Sequence, residues 1–260
     1  MHPILFRIGG LTIHTYGLFV AVGFLAGMAL AVREARRAAL DTEKISNLFF
    51  WIIISAIIGS RLLYVIAEAP GLITSPLEIF KIWKGGLVFY GGVILAVAVT
   101  IFYIRHNKLP LWTTMDILAP PLALGLAFGR LGCFSAGCCY GRPADVPWAV
   151  TFTNPDSLAP LYIPLHPTQL YEAGAALIIF FILMLTRRAK RFEGQMMWTF
   201  FFLYAVARFI IENYRGDPRG AVWGDLLSTS QFISLLSAVA ALTGFFYFLR
   251  KQGAKQGGGA

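Results

Sequence analysis

The sequence predicts an all-α, polytopic membrane protein with seven transmembrane helices, and three observations indicate this fold class. Of its 260 residues, 57% are hydrophobic and only 13% are charged, whereas soluble domains carry about 25% charged residues. Apolar runs recur along the whole chain, each near the ~20 residues that cross a bilayer. Basic residues gather in short clusters between these runs, which is typical of membrane topology.

The apolar runs predict seven spans, at residues 15–33, 47–67, 86–104, 115–134, 168–186, 195–212 and 229–249. The first run has no small-residue cleavage site after it, so we expect a retained span rather than a removed signal peptide. We expect residues 1–250 to form a single integral membrane domain. Residues 251–260, which end in QGGGA, are expected to form a disordered cytoplasmic tail.

The distribution of basic residues predicts the orientation. The connections after the first, third, fifth and seventh spans contain more than half of the 22 lysines and arginines. The positive-inside rule therefore places the C-terminus in the cytoplasm and the N-terminus outside. The net charge of +9 is thus a topological signal, and we expect no nucleic-acid partner. On the outer side, residues 73–86 are either a short interfacial helix or an ordinary loop with hydrophobic anchors.

Ionisable side chains inside spans are costly and normally face a polar interior. The spans contain six that matter here: Arg61, Asp116, Arg130, Glu172, Arg208 and Glu212. All except Asp116 lie near the outer ends of their spans, so they can converge on one outward-facing polar cavity. Asp116 opens its span at the cytoplasmic side, and we assign it a structural role.

The sixth span carries a polar stripe at helical spacing, formed by Tyr204, Arg208, Glu212 and Arg215. Residues four apart share one face, so Arg208 and Glu212 can pair directly, and a purely structural salt bridge is one explanation. Arg130 and Arg61 have no partner nearby in the sequence. A buried guanidinium suits phosphate or carboxylate capture, so these arginines bind a phospholipid headgroup, pair with Glu172 and Glu212, or do both.

The segment 129-GRLGCFSAGCCYGRP-143 contains all three cysteines. Their C-x4-C-C spacing, without a nearby histidine, fits no zinc pattern, and three cysteines are too few for a disulfide framework. We therefore expect no metal and no cofactor, with Cys133, Cys138 and Cys139 serving as small packing residues or forming a local disulfide. His166, in 166-HPTQLYE-172, is either a general base or a polar cap.

Five segments in this order resemble the bacterial prolipoprotein diacylglyceryl transferases: 14-HTYGLF-19, 85-GGLVFYGG-92, 129-GRLGCFSAGCCYGRP-143, 166-HPTQLYE-172 and 204-YAVARFIIENYRGDPRG-220. The resemblance implies transfer of the diacylglyceryl group of phosphatidylglycerol to the lipobox cysteine thiol of a preprolipoprotein. A thioether forms and glycerol 1-phosphate leaves. It also implies a multi-pass protein of the bacterial cytoplasmic (inner) membrane, with its active site towards the outer leaflet.

The resemblance also implies site residues. The catalytic set is Arg130, Arg208, Glu212, Tyr204 and His166. The phosphatidylglycerol-binding set is Arg130, Arg208, Arg215, Tyr16, Gly132 and Tyr90, with Glu172 and Arg61 in structural or orienting roles. The thiol base is left open between His166, a glutamate and the field of the arginines.

The chain departs from the family pattern at four positions. Tyr90 stands where better-known members carry a histidine, and Cys133, Ala136 and Cys138 stand where asparagines and a glutamate are usual. Either Tyr90 and the cysteines stand in for the usual groups, or those groups are not the core machinery, or this is a relative with altered activity. Three alternatives to the transferase hypothesis remain. They are a relative with altered substrate, a non-catalytic lipid-binding or transport protein, and a thiol-redox protein built on the cysteines. The redox hypothesis predicts loss of activity when all three cysteines become serine, whereas the transferase hypothesis predicts at least partial survival.

Overall fold

The computed structural model describes residues 1–8, 11–69, 86–217, 221–222 and 226–257. Seven α-helices dominate these ranges: α1 (Thr15–Arg37), α2 (Thr42–Ala67), α3 (Phe89–His106), α4 (Leu111–Ala136), α5 (Thr168–Thr186), α6 (Gln195–Glu212) and α7 (Thr229–Gly257). The predicted all-α class is thus confirmed. The segment 73–86, expected to be an interfacial helix or a loop, lies outside the described residues except for its last residue.

Each predicted span corresponds to one of these helices. The bounds of α5 and α6 coincide with the prediction, and α7 continues to Gly257, beyond the predicted end at 249. Within the described ranges, all the helices except α6 are long and apolar enough to cross a membrane. The α6 helix carries Arg208 and Glu212, which lower its mean hydropathy. The chain is therefore a polytopic helical membrane protein, while the domain assignment and the tail at 251–260 stay predictions.

Packing divides the chain into two compact units, Met1–Ala31 with Met115–Ala260, and Val32–Thr114. In the second unit, α2 and α3 pack together where Gly59 faces Gly91. A Cβ on either glycine would collide with the backbone carbonyl of the other, so only glycines permit this close approach. Beside this contact, Arg61 donates a hydrogen bond from Nη1 to the carbonyl of Gly86 at 3.0 Å and lies over the ring of Tyr64.

In the first unit, α6 packs against α5 and α7, and α1 lies against α4. Gly23 adjoins Phe128, and Gly27 adjoins the backbone of Pro121. The small residues let the two helices approach closely, as in other membrane proteins.

Asp116 on α4 caps the start of α6. Its carboxylate accepts hydrogen bonds from the backbone N–H of Gly194 at 2.9 Å and of Met196 at 2.8 Å. It also pairs with Lys190 at 3.3 Å. A carboxylate at a helix N-terminus satisfies free N–H groups and complements the helix dipole. This geometry supports the structural role expected for Asp116, although the helix that it caps is not its own.

The described residues of this unit also form three short antiparallel strand pairs: β1 (Ile4–Ile8) with β2 (Leu11–His14), β3 (Val150–Thr151) with β4 (Pro164–Leu165), and β5 (Ala221–Val222) with β6 (Leu227–Ser228). The backbone near Gly141 joins three segments that are distant in sequence. The N–H of Gly141 donates to the carbonyl of His166 at 3.1 Å, and the N–H of Arg142 donates to the carbonyl of Tyr214 at 2.9 Å. A Cβ on Gly141 would collide with both carbonyls. This junction fixes the loop after α4 beside the start of α5 and the end of α6.

Candidate functional site

Glu172 lies at the centre of the polar cluster of the first unit. It projects from the first turns of α5 and is only 5% exposed. Its Oε1 accepts hydrogen bonds from Nη1 of Arg208 at 2.9 Å and from Nη1 of Arg215 at 3.0 Å. Its Oε2 lies 2.7 Å from Nε of Arg130. One carboxylate therefore positions three guanidinium groups that come from α4, from α6 and from the turn after α6.

Arg208 also makes the pair predicted from the four-residue spacing on α6. Its Nη2 lies 2.6 Å from Oε2 of Glu212 and donates to Oγ of Ser230 at 3.3 Å. Glu212 in turn accepts from Oγ of Ser228 at 3.0 Å. The first residues of α7 and the strand before it thus hold the Arg208–Glu212 pair from the other side.

Arg215 is fully engaged. Besides Glu172, it forms a two-pronged pair with Asp217, from Nε to Oδ1 and from Nη2 to Oδ2, each at 2.8 Å. Its side chain is only 2% exposed. With Asp217 included, the cluster contains three arginines and three carboxylates, so it is formally neutral.

Arg130 differs from the other two arginines because its outer edge is open. Among the described residues, the guanidinium of Arg130 contacts Glu172 through Nε, and the Arg130 side chain is 19% exposed. Tyr204 and Cys133 lie within electrostatic range of Arg130, as does Tyr16 on α1. Its two terminal nitrogens therefore remain available to an anion.

The absence of a side chain at Gly132 leaves space for Tyr16 near Arg130. A Cβ on Gly132 would lie 3.0 Å from Cδ2 of Tyr16 and 3.2 Å from its carbonyl oxygen. The tyrosine remains 43% exposed, so it borders the cluster and is open on one side.

The three cysteines meet beside the arginines. The Sγ atoms of Cys133, Cys138 and Cys139 all lie within 4.8 Å of one another, and none of the three is in a disulfide bond. Hydrogen bonds from the other two thiols, and then from Arg215, lower the pKa of Cys139. The local disulfide considered from the sequence is therefore absent among these described residues. The C-x4-C-C spacing gave no sign of this convergence.

Comparison with known proteins assigns the chain to a family. The sequence model described as prolipoprotein diacylglyceryl transferase matches residues 3–247. The chain belongs to the prolipoprotein diacylglyceryl transferase family.

Three relatives carry the name phosphatidylglycerol--prolipoprotein diacylglyceryl transferase. The relative from Clostridium tetani is 39% identical over 243 residues, which cover 93% of this chain and 96% of the relative. The relative from Bordetella parapertussis is 39% identical, with 95% and 94% covered. The relative from Vibrio cholerae is 37% identical, with 90% and 86% covered. The identification of the chain as a transferase of this family is thus confirmed.

The diacylglyceryl transferase residues expected from the sequence fall into two groups. The first unit contains Tyr16, Arg130, Gly132, Glu172, Tyr204, Arg208, Glu212 and Arg215. Ion pairs join the five charged residues, Tyr16 lies beside Gly132, and Tyr204 lies within electrostatic range of Arg130. Arg61 and Tyr90 belong to the second unit. Arg61 is 7% exposed and Tyr90 is 61% exposed. Arg61 binds backbone there, which suits its expected structural role.

His166 lies in an aromatic group next to the backbone junction. Its Nδ1 lies 3.1 Å from the hydroxyl of Tyr171, and its ring meets the ring of Tyr214 edge-on at 5.1 Å. The hydroxyl of Tyr171 also accepts from Nε1 of Trp148 at 2.7 Å. Burial, and then the charge of Arg142, lower the pKa of His166 below its ordinary value of 6.5. The ring is therefore neutral at pH 7, and its described contacts lie outside the arginine–carboxylate cluster.

Four residues that contact the arginine–carboxylate cluster were not predicted as site residues: Asp217, Ser228, Ser230 and Cys139. The motif 215-RGD-217 contained a signal for Asp217, since an acid two residues after an arginine can pair with it. The two serines are 16 and 22 residues from the groups that they contact, and no local spacing rule finds such pairs.

Proposed function

We propose that the protein transfers the diacylglyceryl group of phosphatidylglycerol to the lipobox cysteine thiol of preprolipoproteins. A thioether forms and glycerol 1-phosphate leaves, which makes this the first step of lipoprotein maturation. Family membership over residues 3–247 and the names of the relatives support the proposal. The partners are phosphatidylglycerol, the preprolipoprotein signal peptide and the surrounding bilayer.

One observation carries the proposal most strongly, namely the open edge of Arg130. Its Nε is fixed by the buried carboxylate of Glu172, which Arg208 and Arg215 hold in turn. The two terminal nitrogens are thus oriented before any ligand arrives. Such a planar fork matches the oxygens of a phosphate.

The reaction needs a group that stabilises negative charge on the leaving phosphate. As the glyceryl C–O bond breaks, charge grows on the phosphate oxygens, and donors fixed in advance stabilise that charge most effectively. We assign this role to Arg130, with Arg208 next to it. Arg215 is saturated and buried, so we assign it the positioning of Glu172 rather than direct contact with lipid.

The remaining site residues take supporting roles in the proposal. Glu212 orients Arg208, and Tyr204 and Tyr16 lie within electrostatic range of Arg130. Gly132 makes room for Tyr16. His166 is neutral at pH 7 because its pKa is lowered, so it is available as the base that removes the proton of the acceptor thiol. Tyr90 remains a proposed contact to phosphatidylglycerol.

We also propose seven crossings of the bacterial cytoplasmic (inner) membrane, with the N-terminus outside and the C-terminus in the cytoplasm. The sixth crossing is α6, whose buried charges pair within the protein, which lowers the cost of placing them in lipid. The basic connections then share the cytoplasmic side, and Arg130 faces the outer leaflet. Reporter fusions after α5 and after α7 test this topology, since both must report a cytoplasmic location.

The function is tested by complementation of a bacterial strain depleted of its own transferase. A model lipoprotein is isolated and weighed. The wild-type chain is expected to add one diacylglyceryl group to the lipoprotein and to restore growth. Phosphatidylglycerol that binds without any gain of lipoprotein mass would support a lipid-binding or transport protein instead.

The role of Arg130 is tested with Arg130→Lys, which keeps the charge but removes the fork. The transfer rate is expected to fall at least about 100-fold, the typical effect of losing one donor to developing charge. The matched control is Arg188→Lys, since Arg188 is exposed in the connection after α5 and should tolerate the change. Equal rates for the two variants would contradict the assignment.

A further inference from the structure

The convergence of the three cysteines has no role in the mechanism above. Cys133 lies in the last turn of α4, and Cys138 and Cys139 lie in the turn that follows. Cys133 is separated in the sequence from the adjacent Cys138 and Cys139, yet the three sulfur atoms lie within 4.8 Å of one another. They are the only cysteines of the chain.

The backbone of the turn is held in place by polar side chains from the start of α5. Nε2 of Gln169 donates to the carbonyl of Cys138 at 2.8 Å, and Oγ1 of Thr168 donates to the carbonyl of Cys139 at 2.9 Å. Both side chains are 0% exposed. Cys139 adopts a φ of 61°, in the left-handed region that costs a non-glycine residue about 1–2 kcal/mol. A strained residue persists where its surroundings determine it, and such residues concentrate at functional sites.

The donor atoms select the class of ligand. Three thiolates without a carboxylate or an imidazole are soft donors that suit zinc and similar thiophilic ions. Zinc bound by sulfur at about 2.3 Å in a tetrahedron places the sulfur atoms about 3.8 Å apart. The sulfur atoms of this cluster therefore need to approach one another by about 1 Å at most, which small side-chain rotations supply. Catalytic zinc sites have three protein ligands and an open fourth position.

We propose that Cys133, Cys138 and Cys139 bind one zinc ion whose fourth position takes the thiol of the acceptor cysteine. This inference rests on the proposed function. The location supports it, because Arg215 adjoins Cys139 and Arg130 adjoins Cys133. The thiol site thus borders the proposed phosphate site.

The chemistry follows from the coordination. A thiol that coordinates zinc gives up its proton, which passes to solvent or to a nearby base. The zinc-held sulfur then attacks the glyceryl carbon, and the C–S bond forms with the electron pair of sulfur. The C–O bond breaks, and its electron pair leaves on the oxygen of glycerol 1-phosphate. No oxidant or reductant is needed.

The test uses the full-length protein in detergent, freed of metal and then loaded with zinc or cobalt(II). One zinc per chain is expected, and none for the variant with Cys133→Ser, Cys138→Ser and Cys139→Ser. The cobalt form is expected to show sulfur-to-metal charge-transfer absorption. A lipobox peptide with cysteine should change this absorption, whereas the same peptide with serine should not. The peptide pair is measured on the unmutated chain, so the result does not depend on whether the variant folds.

The transfer rate provides a second readout. The triple variant is expected to lose about 100-fold in rate, at the low end of what proton removal contributes, while its binding of phosphatidylglycerol vesicles is unchanged. Three results would overturn the inference. The chain binds no stoichiometric zinc, or its mass is 2 Da low because a disulfide has formed, or the cysteine peptide does not change the absorption of the cobalt form. If lipoproteins are still modified in those cases, the proposed function stands. Zinc binding with no lipoprotein modification would instead overturn the function.

Discussion

Replacing Glu172 with glutamine removes the charge at the centre of the cluster while keeping the shape of the side chain. In the wild type, this carboxylate contacts Arg130, Arg208 and Arg215 at 2.7, 2.9 and 3.0 Å. The variant leaves three arginines facing two carboxylates in a region where Glu172 is 5% exposed. The excess positive charge is therefore poorly hydrated and repels itself.

The magnitude follows from the cost of leaving a buried charge without its partner. Removing one member of a buried pair costs about 3–5 kcal/mol, and Glu172 has three partners. Each kcal/mol lowers the melting temperature of a chain of this size by about 2–4 °C, so we expect a fall of at least about 6 °C. The transfer rate falls as well, because Arg130 loses the group that orients it.

The assay is thermal unfolding in detergent micelles, with Glu193→Gln as the matched control. Glu193 is 53% exposed and pairs with Lys190 at 2.9 Å, and breaking an exposed pair costs only about 0.2–1 kcal/mol. Added phosphatidylglycerol supplies an anionic phosphate, so it should raise the melting temperature of Glu172→Gln more than that of the wild type. Zwitterionic phosphatidylcholine carries no net charge and should not discriminate between them.

Two results would refute this reasoning. If Glu172→Gln has the same melting temperature as the control Glu193→Gln, the three contacts of Glu172 do not contribute the expected charge interaction. If phosphatidylglycerol stabilises both chains equally, the anion does not bind at the cluster.

Three further predictions concern other parts of the chain. Gly91→Ala places a Cβ against the carbonyl of Gly59 and should cost about 1–3 kcal/mol in thermal unfolding. Gly174→Ala has open space and should be tolerated, so equal melting temperatures would contradict the packing. Asp116→Ala removes the cap of α6 and should cost about 0.5–2 kcal/mol, and an unchanged melting temperature would argue against capping. If His166 is the base, the transfer rate falls only as the pH drops below 6.5, because the pKa of His166 is lowered. The variant His166→Gln should then lack this fall of the rate at low pH.

The helices could be predicted from the sequence because lipid imposes a simple requirement. A span needs about 20 apolar residues with every backbone group satisfied within the helix, so α5 and α6 begin and end where the pattern changes. The end of α7 could not be predicted. The segment after residue 249 loses its apolar character, yet the helix continues to Gly257, because polar residues such as Lys and Gln also favour helix.

The site was only partly predictable for a different reason. The Arg208–Glu212 pair follows from a spacing of four on one helix. The contact of Glu172 with three arginines depends on how α4, α5 and α6 pack. The sequence showed that these buried charges need partners, but it did not show which residues would pair. The convergence of the cysteines depends on the left-handed turn at Cys139, which no residue preference predicts, because cysteine seldom adopts that conformation.

The neutrality of the cluster bears on turnover as well as on binding. Three unpaired arginines would hold any phosphate tightly, including the glycerol 1-phosphate that must leave. Because Arg208 and Arg215 are already paired with carboxylates, an arriving phosphate meets chiefly the open edge of Arg130. Its ground-state attraction is then modest, whereas the fixed donors gain strength as charge develops on the leaving oxygen. Interactions that are stronger in the transition state than in the bound substrate are those that raise the rate. The carboxylates of the proposed site therefore favour catalysis because they limit how tightly the arginines bind the phosphate product.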